Sequence, residues 1–118
     1  MDSSEKSLAC ARLASDKKGK NLVILELKGI SPLADYFVVC SGTSDRHVKA
    51  LASHIEISLK EEGILALGIE GLREGKWVLM DYDDVIVHVF QEHEREFYDL
   101  ENLWLECPRI PFSDENEQ

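Results

Sequence analysis

Only three cysteines occur in 118 residues, Cys10, Cys40 and Cys107, and no two form a CxxC pair. Neither a disulfide framework nor a zinc site is therefore signalled. No apolar run approaches the roughly 20 residues that span a bilayer. The N-terminus, MDSSEKS, has no signal-peptide core and no arginine-rich transit character. A cytoplasmic protein without membrane contact is expected. The glycine-rich phosphate signatures GxxxxGK[ST] and GxGxxG are absent. Basic charge is scarce as well: 13 Lys and Arg face 23 Asp and Glu, a net charge of −10. Phosphate backbones reward clustered Lys and Arg, so direct DNA binding is not expected.

What is present fits one soluble domain, with 44% apolar and 31% charged residues. The charge is lopsided. Residues 1–80 carry eleven acids and eleven bases, whereas residues 81–106 carry nine acids against Arg95 alone. A near-neutral body with one acidic end points to a partner with a basic surface.

Periodicity gives an αββαβββα order. A first helix is expected from an N-cap at Ser3 or Ser4 to Gly19, with Leu8, Ala11, Leu13 and Ala14 inward. Strands follow at Asn21–Lys28 and Tyr36–Cys40, which should pair. SGTSD (41–45) then opens a helix whose buried stripe is Val48, Leu51, Ala52, Ile55 and Leu59, closed by Gly63. A strand at Ile64–Glu70 and the turn GLREGK (71–76) lead to strands Trp77–Met80 and Asp84–Phe90. In the last of these, Val85, Val87 and Val89 face one way and Ile86, His88 and Phe90 the other. A helix from Gln91 should carry Phe97, Leu100 and Trp104 as its core stripe. The strand–helix–strand unit around 36–70 requires at least one parallel pair. The domain is expected to span residues 1–105, with 106–118 an acidic, mobile tail.

Several stretches could carry chemistry. SGTSD at a helix start could cradle a phosphate, although it holds no lysine; Gly42 as turn and Ser44 or Asp45 as N-cap explain it more simply. Asp81, Asp83 and Asp84 could hold Mg²⁺, but the face of Asp84 continues with Ile86, His88 and Phe90 and offers no second carboxylate. Hairpin-turn acids are the simpler account. His88 lies mid-strand among apolar residues, where a histidine is ordinarily a hydrogen-bonded core or interface residue. Trp77, Tyr82, Phe97, Tyr98 and Trp104 put five of nine aromatics near the acidic end. Tyr82 in the turn and Tyr98 off the stripe are the candidate exposed anchors.

The segments DYFVVCSGTSDRHVKALASHI, GIEG, WVLMDYDDVIVHVF and REFYDLENLW together resemble the ribosomal silencing factors, the Iojap-related family, over roughly residues 4–105. The resemblance implies an α/β, nucleotidyltransferase-like single domain without the catalytic acidic pair, built on a mixed sheet of about five strands packed by helices. It implies a cytosolic, often dimeric factor that binds the large ribosomal subunit through its fourteenth protein. There it would block joining of the small subunit and so lower translation when nutrients are short. Positions matching the family pattern are Trp77, Asp81, Tyr82, Asp84, His88, Arg95, Tyr98, Glu101 and Trp104.

Two functions of different class follow. The first is a non-enzymatic factor without cofactor or metal, docking through Trp77, Asp81, Tyr82, Asp84, His88, Glu94, Arg95, Tyr98 and Glu101. The alternative is a metal-dependent nucleotidyl or phosphoryl transferase using SGTSD and Asp81–Asp84.

Overall fold

A computed structural model describes residues 1–112. Helix α1 (Ser3–Asp16) starts one residue earlier than the hydroxyls suggest. Asp2 is the N-cap: its carboxylate accepts from the Glu5 N–H at 2.8 Å, and Glu5 accepts from the Asp2 N–H at 3.1 Å. That is a reciprocal capping box. The helix lies on the sheet through small residues, Ser7, Cys10, Ala11 and Ala14, which leaves Leu8 exposed rather than inward. Strands β1 (Lys20–Glu26) and β2 (Tyr36–Gly42) pair antiparallel, as expected. Helix α2 (Asp45–Glu61) is capped by Ser44, and its five stripe residues are all buried.

Strand β3 is short (Gly68–Glu70), and β4 (Trp77–Asp81) and β5 (Val85–Gln91) form a hairpin. The sheet order is β3-β4-β5-β2-β1-β6. Its one parallel pair is β2 with β5, at the centre, while β3 runs antiparallel at one edge. The crossover from β2 therefore passes through α2 and the whole β3–β4 hairpin before returning. Strand β6 (Arg109–Ile110) pairs antiparallel with β1 and makes the sheet six-stranded. It lies in the stretch expected to be a tail; the acidic residues beyond Phe112 fall outside the described residues.

The expected long last helix is two pieces, α3 (Glu92–Tyr98) and the single turn α4 (Leu100–Leu103). Asp99 separates them in the left-handed conformation, φ 47°. An aspartate tolerates that conformation better than most residues. The break resets the helical phase, so the spacing of Phe97, Leu100 and Trp104 no longer defines one face. Leu100 and Trp104 pack onto the sheet, whereas Phe97 is 74% exposed.

The two faces of the sheet are covered unequally. Val38, Cys40, Val78, Met80, Val85, Val87 and Val89 lie under α1 and α2. Among the described residues the other face, with Phe37, Val39, Phe90 and Leu25, is covered by Leu100, Trp104 and Cys107, with Ala34, Trp77 and Ile86 packed into the same cluster. β2 is buried along its whole length. Among the described residues no helix is long and apolar enough to cross a membrane.

Candidate protein-docking site

The thinly covered face carries an aromatic cluster set by the β4–β5 register. Trp77 sits opposite Phe90, and Leu79 opposite His88. The Trp77 ring stacks on Phe90, centroids 4.8 Å apart. Its Nε1–H donates to His88 Nδ1 at 3.2 Å. Because Nδ1 accepts, the proton of the neutral imidazole sits on Nε2. That Nε2 is buried and has no partner. His88 is 3% exposed, and burial pushes its pKa down to about 4. The ring is therefore neutral at pH 7, wedged edge-on against Phe37 at 4.7 Å. Of the core and interface alternatives the sequence left for His88, the structure shows the hydrogen-bonded core one, and at 3% exposure the ring presents no docking surface of its own.

Helix α3 brings Tyr98 against Trp77, centroids 4.9 Å apart, and Phe97 perpendicular to Tyr98 at 5.1 Å. Tyr98 is 50% exposed. These rings, with Glu74, Lys76 and Glu94, line a cleft of about 450 Å³ between the β3–β4 turn and α3. The turn is fixed by Gly71 at φ 85°, where an added Cβ would lie 2.0 Å from the Trp77 carbonyl oxygen. Gln91 ties the start of α3 to it by donating to the Gly75 carbonyl at 3.0 Å. The cleft is thus held on both sides by short-range geometry.

The other candidates divide. Arg95 and Glu101 are not free docking charges: Arg95 Nε donates to Glu101 at 2.8 Å and Nη1 to Ser41 Oγ at 2.9 Å. Glu101 also lies 3.6 Å from Arg109. This pair anchors α3, α4 and β6 to the end of β2. Glu94 remains at the cleft.

Asp81, Tyr82 and Asp84 stand at the far end of the hairpin. Asp81 accepts from the Asp83 N–H at 2.8 Å and closes the turn, in which Asp83 has φ 74°. Asp84 pairs with Lys6 of α1 at 2.6 Å. Tyr82, expected to be exposed, is 2% exposed in the core beneath α1 and α2. The reason is strand alternation: Val78, Met80 and Tyr82 share one face, and the phase carries into the turn. Burial also raises the Tyr82 pKa.

The SGTSD loop is internally occupied. The Thr43 N–H donates to His47 Nδ1 at 2.9 Å, so His47 Nε2–H is the donor to the Lys17 carbonyl at 2.8 Å. Gly42 passes so close to α2 that a Cβ would meet Val48 at 2.9 Å. The amides of Thr43, Arg46 and His47 thus already have side-chain acceptors, in His47, Asp45 and Ser44. Among the described residues no group of three or more His, Cys, Asp or Glu is placed to hold a metal ion.

Five of the residues lining the cleft, Gly71, Glu74, Lys76, His93 and Phe97, are not among the sequence candidates. Phe97 was hidden by the assumption of an unbroken helix. Glu74 carried no local signal, since it reaches the cleft only when the turn folds over α3.

A family model described as "Ribosomal silencing factor during starvation" matches residues 1–118. The Bacillus subtilis ribosomal silencing factor RsfS is 44% identical over 98 residues, covering 83% of this chain and 83% of that protein. A crystal structure of a Chromobacterium violaceum protein superposes with a TM-score of 0.87 at 36% identity, covering 100% of this chain and 98% of that one. Further away, the mouse protein named mitochondrial assembly of ribosomal large subunit protein 1 is 27% identical over 95 residues, 78% of this chain and 42% of its own length. The fold and the aromatic, acid-rimmed face described above are thus those of a chain that belongs to the ribosomal silencing factor family.

Proposed function

We propose that this protein binds the large ribosomal subunit through its fourteenth protein and, seated there, keeps the small subunit from joining. Translation falls as a result when nutrients are short. The action is steric and non-enzymatic, takes place in the cytoplasm, and is exerted by a homodimer on a nucleotidyltransferase-like scaffold without the catalytic carboxylates. Family membership supports the ribosome as partner, and the name of the mouse relative couples that protein to the large subunit.

The observation that carries the docking reading is the open aromatic face at the acidic end. Phe97 and Tyr98 are exposed, and Tyr98 lies against Trp77 at 4.9 Å. Exposed aromatics beside charge are what binding anchors look like, and acidic residues speed encounter with a basic surface. Sedimentation with separated subunits tests it. The protein should travel with large subunits only, less so as salt rises, because exposed charges are screened over about 8–10 Å. Equal co-sedimentation with small subunits would refute it.

A further inference from the structure

We propose that the cleft between the β3–β4 turn and α3 is a receptor for one arginine side chain presented by the docking partner. This deepens the docking reading above and rests on it. Three rings form the receptor's walls. Trp77 and Tyr98 touch with centroids 4.9 Å apart, and Phe97 stands at 88° to Tyr98, so all three rings line the cleft. The Trp77 wall is preset. Trp77 is stacked on Phe90 behind and its indole N–H is held by His88, so the ring cannot turn aside without breaking both contacts. A wall that is already ordered loses little freedom on binding.

The charge on the rim decides which plug fits. Glu74 and Glu94 reach the cleft from opposite sides, against Lys76 and His93. Glu92 and Glu96 line a different depression, with Arg95, Asp99 and Glu101, so the two cleft carboxylates are those of Glu74 and Glu94. An apolar plug would strip water from the two carboxylates without replacing it. A cation repays them and is attracted by the ring faces as well. Arginine fits better than lysine: its planar guanidinium stacks flat on indole or phenol while its N–H fork meets a carboxylate. No arginine of α3 fills the place, because Arg95 is committed to Glu101 and Ser41.

The test is an NMR titration of the full chain with N-acetyl-arginine methylamide and with the citrulline analogue, which has the same shape and no charge. Arginine should shift the Trp77 indole N–H and the amides of Glu94, Phe97 and Tyr98 in a saturable way. Citrulline should bind about tenfold more weakly, and Glu94→Gln should remove most of that difference. Equal binding of the two probes, or shifts centred on Asp99 and Glu101 instead, would overturn the receptor. Sedimentation with large subunits is run beside it. Subunit binding without arginine binding refutes the receptor and leaves docking standing; arginine binding without subunit binding supports the receptor and refutes docking.

Discussion

His88 makes this protein's stability depend on pH in a way one substitution can isolate. The ring is nearly inaccessible and uncharged, and burial lowers its pKa from 6.5 to about 4. In the unfolded chain the same imidazole protonates near 6.5. Below that pH the unfolded state takes up a proton that the folded state refuses. Stability contributed by the neutral ring is therefore intact above pH 6.5, lost as pH falls toward 4, and flat below. At about 1.4 kcal/mol per pH unit, the full loss is of order 3 kcal/mol. His88→Gln supplies an oxygen to accept from the Trp77 indole and cannot titrate. Urea unfolding of both proteins at several values between pH 7.5 and 4, followed by tryptophan fluorescence, gives the difference curve. Other acids titrate in both proteins and cancel. The variant should gain about 3 kcal/mol relative to the parent across that interval. A flat difference would mean that the folded ring accepts a proton freely, so neither its burial nor the Trp77 contact is as described.

Glu101→Ala should destabilise the fold by about 1.5–3 kcal/mol in chemical denaturation, since it strips Arg95 of its 2.8 Å carboxylate partner. Phe97→Ala should leave the melting temperature almost unchanged, because that ring is 74% exposed. Trp104→Ala, edge-on to Phe37 at 5.8 Å, should cost roughly 2–3 kcal/mol, short of the full-burial range. Gly71→Ala should cost more than about 2 kcal/mol, from its positive φ and the collision with the Trp77 carbonyl. It should also disturb the Trp77 indole resonance.

The sequence by itself determined the element order as far as the start of the last helix, the pairing of the first two strands, the two-faced character of β5 and the buried stripe of α2. Each rests on a period of 2 or 3.6, a property of neighbouring residues that survives without tertiary context. The family resemblance rested likewise on local motifs, and the comparisons bear it out. Only the tertiary structure decided the rest. It placed the parallel pair between β2 and β5, added β6, broke the last helix at Asp99, buried Tyr82 and exposed Phe97. It also sorted the site residues. Asp84 went to Lys6 and Arg95 to Glu101 and Ser41, while Trp77, Tyr98 and Glu94 were left around a cleft with Phe97 and Glu74. Charged side chains are claimed by whichever opposite charge the fold brings near, here 78 residues away along the chain for Lys6 and Asp84, and no local pattern in the sequence records such a distance.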